Sequence, residues 1–283
     1  MSLHIEGFFH VATGTWTYVV HDGADAVVID PVLDYDHKSG AISIESIALV
    51  RSYIENNNLK LRRILETHAH ADHLSGAQLM RDDDDVSIGI GAGIRDVQKY
   101  FGEVFEFDDA MLRDVFDEEY RDGEVISAGS LQFEVLATPG HTSDSLSYRI
   151  GDNVFIGDTL FAPDVGTARC DFPGGSVEDL YASIQRLYSL GDDVVLWLCH
   201  DYPVDGREPI SHITVRESKL KNKMLSAFET LEDFAERRRA RDAGLPAPNL
   251  LYPALQVNIR GGRLPMPSSD GRIFLRTPIR IDA

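Results

Sequence analysis

The chain has 283 residues, 43% of them hydrophobic, enough for a sizeable core in one large or two small domains. Its 46 acidic and 27 basic side chains leave a net charge of −19, whose field repels phosphate backbones and anionic membranes, so neither nucleic acid nor a membrane surface is expected as a partner. Only Cys170 and Cys199 occur, which is no disulfide framework and points to the cytoplasm; no run approaches the ~20 apolar residues that span a bilayer, and the opening Met1-Ser2-Leu3-His4-Ile5-Glu6 lacks the regions of a secretory leader.

Strands and helices alternate along the chain. Residues 15–20 alternate β-branched and aromatic types, and residues 26–29 are a short apolar run closed by Asp30-Pro31; both predict strands. Ile44, Ile47, Val50 and Ile54 share one helical stripe that Asn56-Asn57-Asn58 ends, and a further strand leads through Ile64 and Leu65 to His68. The acidic run 82–85 lacks the spacing and glycine of a calcium loop and reads as a solvated turn. Gly89-Ile90-Gly91-Ala92-Gly93 completes no phosphate-binding motif and reads as a strand-to-helix connection. Strands are predicted at 133–136, 154–156 and 193–199, with a helix marked by Leu180, Ile184 and Leu187 before the last. A long charged helix is expected over about 214–243, followed by a Pro- and Gly-rich tail with short strands near 255–259 and 273–276. Without a long linker, the alternation predicts one α/β domain over 1–283, with a C-terminal helix and strand extension from about 214.

The densest chemistry lies in His68-Ala69-His70-Ala71-Asp72-His73, three imidazoles and a carboxylate in six positions. Packing does not require such a cluster, whereas zinc, iron and manganese take these ligands. Four apolar runs end in a residue able to bind metal: the first in His68, the second in Pro139-Gly140-His141, the third in Gly157-Asp158 and the fourth in Cys199-His200-Asp201-Tyr202. One Gly-Asp alone is usually a turn. Four such strand ends converge on one point if the strands share a sheet edge. Residues two apart in an extended turn face one side, so His68 and His70 are expected to address one ion, with Asp72 and His73 beyond the turn at an adjacent subsite. Asp158 then lies between the subsites or ligates only one. His4, His10, His21, His37 and His212 fall outside this pattern and read as surface or packing residues. Asp30 reads as a ligand support or backbone cap, Cys199 as core, and Cys170, despite the neighbouring Arg169, as a structural rather than reactive thiol.

The order of these motifs resembles the metallo-β-lactamase superfamily over roughly residues 8–200. The resemblance implies an α/β (α+β) fold of αββα type, two mixed β-sheets face to face and flanked by helices. Thr15-Trp16-Thr17-Tyr18, the run 28–33, the segment 67–76, Gly157-Asp158-Thr159-Leu160, Gly166-Thr167-Ala168-Arg169-Cys170-Asp171-Phe172 and His200-Asp201-Tyr202 are similar to the persulfide (sulfur) dioxygenases of the ethylmalonic-encephalopathy type, with the tail closer to bacterial members. For this branch the resemblance implies one Fe(II) per chain on His68, His141 and Asp158, a two-histidine, one-carboxylate set open to oxygen chemistry. His70, Asp72, His73 and His200 would orient those ligands. Arg169 would grip a glutathione carboxylate with its planar fork, and Tyr202 would add a hydroxyl contact. The implied reaction joins O2 to glutathione persulfide, or another small thiol persulfide, giving sulfite and the thiol; a homodimer would be in keeping with the branch.

The alternative within the superfamily is a dinuclear zinc hydrolase, such as a hydroxyacylglutathione hydrolase-like thioesterase. His68, His70, His141 and Asp158 would hold one ion, and Asp72, His73 and His200 with shared Asp158 the other, lowering the pKa of bound water to ~7. A non-enzymatic sensing module is the weakest reading, because all seven ligand residues are intact.

Overall fold

The computed structural model describes residues 2–81, 86–226 and 228–279, so the acidic run 82–85 lies outside the described residues. The first half comprises β1 (His4–His10), β2 (Thr15–His21), β3 (Asp25–Ile29), β4 (Val32–Asp36), β5 (Ala41–Ser43), α1 (Glu45–Asn56), β6 (Lys60–Leu65), β7 (Leu74–Ser75), α2 (Ala77–Met80), β8 (Ser87–Gly91), α3 (Ile94–Phe105), α4 (Asp109–Leu112) and β9 (Glu118–Tyr120). The second comprises β10 (Val125–Ala128), β11 (Leu131–Ala137), β12 (Leu146–Ile150), β13 (Asn153–Phe155), α5 (Val177–Tyr188), β14 (Val195–Trp197), β15 (His212–Thr214), α6 (Val215–Lys221), α7 (Leu231–Asp242) and α8 (Leu251–Asn258).

Two six-stranded sheets form, ordered β1-β2-β3-β6-β8-β9 and β10-β11-β12-β13-β14-β15, with a small sheet β5-β4-β7 beside them. Both large sheets are mixed: β3, β6, β8 and β9 pair in parallel, as do β13 and β14, while the other neighbours are antiparallel. Because side chains alternate faces along a strand, each strand feeds two cores. Tyr18, Val20, Val27, Ile29 and Leu65 point inward to meet Phe133, Val135, Tyr148 and Phe155 of the opposite sheet. Their neighbours Val19, Val28 and Ile64 point outward against α1, α3 and α8. Across the molecule Leu136, Val154 and Leu196 pack against α5 and α7. The result is the four-layer αββα sandwich.

The C-terminal third departs from the sequence reading. The expected helix over 214–243 is two helices. Asn222 ends α6 by accepting from Met224 N at 2.9 Å and donating to Gly166 O at 2.9 Å, and Thr230 caps the start of α7. The expected strand at 255–259 lies largely within α8, whose Pro253 falls in the first turn, where backbone N–H groups lack helical partners anyway. No strand forms at 273–276; the Arg276 backbone is held by the Gln256 side chain, through bonds of 2.6 and 2.7 Å. No described helix is long and apolar enough to cross a membrane.

Phe133 is fully buried between the sheets. Phe133→Ala should cost about 3–5 kcal/mol of stability through lost burial and the cavity left behind. Denaturant unfolding measures this, and a midpoint unchanged from the parent protein would contradict the placement.

Candidate metal centre

The ligand-bearing segments come from both large sheets rather than one. β11, β13 and β14 run in the same direction within the second sheet, so the residues after them, His141, Asp158 and His200, emerge at one edge. His68 follows β6 of the first sheet. Strand ends from two layers meet because the seam is stitched: Leu146 N donates to Thr67 O at 2.8 Å and Trp16 N to Cys199 O at 2.7 Å. Two glycines let the ligand loops approach this closely. Gly140 has φ +135° with the Leu180 backbone where a Cβ would stand, and Gly157 has φ +52° with Thr67 Cβ 2.8 Å from that place.

Two donor groups result. His68, His141 and Asp158 lie together, with Asp158 Oδ2 3.6 Å from His141 Nε2 and 4.0 Å from His68 Nε2. His70, Asp72, His73 and His200 form the second, with His200 Nε2 3.4 Å from Asp72 Oδ2. Asp158 Oδ1 is also 3.4 Å from His200 Nε2, so this carboxylate faces both groups. His70 is grouped with Asp72, His73 and His200, and its ring also lies 4.1 Å from that of His68, on the side that their two-residue spacing suggested.

In all five histidines one ring nitrogen is anchored. His68 Nδ1 lies 3.1 Å from Thr67 Oγ1, His70 Nε2 3.0 Å from Asp30 Oδ1, His73 Nδ1 3.2 Å from Leu74 O, His141 Nδ1 2.8 Å from Arg169 O, and His200 Nδ1 3.2 Å from Thr15 Oγ1. The opposite nitrogens of His68, His70, His73 and His200, together with Asp72 Oδ2 and Asp158 Oδ1, are buried without a hydrogen-bond partner among the described residues. An unsatisfied buried polar group costs about 1–3 kcal/mol. Six would cost on the order of 10 kcal/mol, comparable with the whole stability of a domain. A cation coordinated by these lone pairs offsets that cost, and the nitrogen and oxygen donors suit iron or zinc.

Burial governs the protonation of these groups. It pushes the His73 pKa down to about 3 and holds His68 well below its ordinary value, with neighbouring imidazoles adding to both. Burial also opposes charge on His70, but the facing carboxylates of Asp30 and Glu66 outweigh it and raise its pKa.

A further layer supports the loop. The Asp144 carboxylate accepts from Ala69 N at 2.8 Å, and Asp30 accepts from Thr67 N at 2.7 Å. Asn258 of α8 donates to the carbonyls of His70 and His73, both at 2.7 Å, and accepts from Ser75 N at 2.8 Å. Glu66, Asp144 and Asn258 were not singled out from the sequence; only the proximity of Glu66 to the histidine run hinted at one of them. Asp30 supports ligands, as expected. Cys199 is buried, as expected for core, yet its Sγ lies 3.6 Å from Asp30 Oδ2 and beside Asp158 and His200. Burial, followed by the nearby carboxylates, raises its pKa, so it is a thiol donor. Cys170 is also buried, with its pKa pushed up to about 12 by burial and then Asp242, which is the structural thiol anticipated.

The centre opens into a cavity of about 1000 Å³ whose wall includes His141, Asp158, Asp72, Arg169, Phe172 and Tyr202. Tyr202 stacks on the His200 ring at 5.8 Å between centroids, is 46% exposed, and its hydroxyl makes no hydrogen bond among the described residues. Arg169 lines the cavity, as the role inferred for it requires. Its fork closes on Asp171, at 2.6 and 2.7 Å, and it also donates to Pro246 O at 2.7 Å. Lys38, Lys223 and Arg241, not singled out from the sequence, line the same cavity and make no salt bridge among the described residues.

The family description "Metallo-beta-lactamase superfamily" matches residues 11–200, and the chain belongs to that superfamily. It is 43% identical over 98% of its length to "Beta-lactamase hydrolase-like protein" of Agrobacterium fabrum, but spans only 65% of that relative. It is 40% identical to "Glyoxylase B2" of Dictyostelium discoideum, covering 95% of this chain and 93% of the relative. At 27% identity it matches "Persulfide dioxygenase ETHE1, mitochondrial" of Homo sapiens over 90% of this chain and 87% of the relative. Among solved structures, that of ETHE1 from Myxococcus xanthus superimposes with a TM-score of 0.73 at 29% identity, over 93% of this chain and 100% of the other.

His68 and His73, with His10 and His21 in the same direction, lower the stability of the metal-free protein on acidification, opposed by the buried Glu66 and Asp144 carboxyls, whose pKa burial raises. The folded pKa values of these histidines lie below the ordinary 6.5, so below that pH the unfolded chain takes up protons that the folded one refuses, and stability falls. His70, shifted upward, acts oppositely and only above that pH. Thermal unfolding of chelator-treated protein should therefore show a falling midpoint from about pH 6.5 to pH 5. A flat or rising midpoint would contradict the account.

Proposed function

We propose that the chain oxidises glutathione persulfide, or another small thiol persulfide, with O2 to sulfite and the free thiol, using one Fe(II) held by His68, His141 and Asp158. The observation that carries this reading is the grouping of two imidazoles and one carboxylate, of which His141 and Asp158 line the cavity. Fe(II) bound there supplies the one-electron chemistry that O2 requires and that side chains lack. The overall change balances as RSSH + O2 + H2O giving RSH + H2SO3: the sulfur–sulfur bond breaks, the outer sulfur is oxidised and O2 is reduced.

The chain's own groups bind and orient. Phe161, Val165, Phe172 and Leu245 line the wall and limit water around the reacting sulfur. Lys38, Lys223 and Arg241, which make no salt bridge among the described residues, present positive charge to the substrate carboxylates, a local attraction that a chain of net charge −19 does not supply globally. Arg169, whose charge is paired with Asp171, shapes the wall with its side chain and orients His141 through its carbonyl. The Tyr202 hydroxyl is available to a substrate polar group.

A dinuclear zinc hydrolase is the second reading. It is supported by the unpartnered lone pairs of His70, His73, His200 and Asp72, which form a second donor set beside the first, and by the hydrolase name of the Agrobacterium relative.

Anaerobic reconstitution with iron, followed by oxygen uptake with glutathione persulfide beside thioester hydrolysis by the zinc-loaded protein, separates the two. The dioxygenase reading expects one O2 consumed and one sulfite formed per persulfide; thioester hydrolysis without oxygen uptake would overturn it. Arg241→Ala and Lys223→Ala should each raise KM about fivefold with kcat and iron content unchanged, since a half-exposed charged contact contributes about 1 kcal/mol. Unchanged saturation curves in both variants would refute these roles.

A further inference from the structure

His200 is anchored differently from the other four histidines. His73 and His141 end on backbone carbonyls, while His68 and His70 reach the buried Asp30, the former through Thr67. His200 Nδ1 instead faces Thr15 Oγ1 at 3.2 Å, Thr15 Oγ1 faces Thr13 Oγ1 at 2.6 Å, Thr13 Oγ1 faces His10 Nδ1 at 2.7 Å, and His10 Nε2 faces Asp34 Oδ1 at 3.3 Å. This unbroken file runs from the metal centre to the cavity wall, where His10, Thr13 and Asp34 are all exposed to the cavity.

We propose that Asp34, His10, Thr13 and Thr15 form a one-way hydrogen-bond relay that positions His200 as a metal ligand from the substrate-facing wall. The direction follows from the ends. Asp34 is a carboxylate and only accepts, so His10 Nε2 must carry the proton and its Nδ1 must accept. Thr13 then donates to His10 and accepts from Thr15, Thr15 accepts from His200, and His200 bears its proton on Nδ1. Its Nε2 lone pair is thereby aimed at Asp72 and Asp158. A metal-bound imidazole that donates its other N–H to a carboxylate has fixed orientation and raised basicity, and here two hydroxyls and a second imidazole extend that arrangement.

The relay is built rather than incidental. Ser46 clamps Asp34 with its N–H at 2.9 Å and its hydroxyl at 2.8 Å. Gly14, at φ +68°, turns the chain between the two threonines, and its carbonyl accepts from Asp201 N at 2.9 Å, holding the turn against the His200 loop. Burial keeps the His10 pKa below its ordinary value despite Asp34, so the ring is neutral near pH 7 and offers an accepting nitrogen.

The proposal rests on the second donor set, His70, Asp72, His73 and His200, taking a metal, as in the dinuclear reading above, with His200 binding through Nε2. Long-range nitrogen–proton NMR of the zinc-loaded, histidine-labelled protein should find His10 protonated on Nε2 and His200 on Nδ1; a proton on His10 Nδ1 overturns the relay. Zinc affinity, read by competition with a chromophoric chelator, should fall about tenfold in Thr13→Val, the lower end for a lost outer partner, and return to within about twofold in Thr13→Ser. Thermal unfolding of the metal-free variants separates misfolding from loss of affinity. Equal affinity in Thr13→Val and the parent protein overturns the relay alone, whereas a parent protein that binds no zinc or iron overturns the metal reading beneath it.

Discussion

Histidine rings at the seam of the two sheets have one nitrogen tied to the protein and the other aimed, buried and unpartnered, toward a common centre. That arrangement is unfavourable without a cation, since each buried lone pair has lost water and gained nothing. Much of the surrounding construction keeps it from relaxing. Asp30 receives His70, Thr67 and Cys199 together, and Thr67 bonds both Asp30 and His68. A rotated ring would break its anchor while leaving the other nitrogen in an equally dry place.

The sandwich supplies the rigidity this requires. Three ligand loops leave the second sheet at one edge and the histidine loop leaves the first, so the centre bridges layers that pack on a shared apolar interior. α8, beyond the segment matched by the family description, reaches back through Asn258 to fix the carbonyls of His70 and His73. The C-terminal region is thus part of the centre's support, coupling helix packing on the outer face of the first sheet to ligand geometry at its edge.

Charge is distributed against the global trend. The chain carries −19 overall, yet three basic side chains that make no salt bridge among the described residues stand around the cavity, and the charge of Arg169 is paired with Asp171. Paired and unpaired arginines thus stand on one wall. Aromatic side chains, Phe172 beside His141 and Tyr202 over His200, complete the wall.

The periodicity of residues 15–20, 26–29 and 133–136 made the strands legible, and the histidine cluster with the glycine-preceded His141 and Asp158 made the ligand set legible, because metal chemistry restricts residue type and local turns restrict spacing. The C-terminal helices were misread where Asn222 breaks a continuous charged pattern and where residues 255–259, apolar enough for a strand, pack as a helix. The grouping of His70 with His200, across more than a hundred residues, was hidden as well. So were Asn258, the occupied fork of Arg169 and the file from His10 to His200. Sequence by itself determined which atoms are able to bind a metal; only the tertiary structure decided which lone pairs remain free and in which direction they point, because each depends on a hydrogen bond to a residue that local sequence does not bring near.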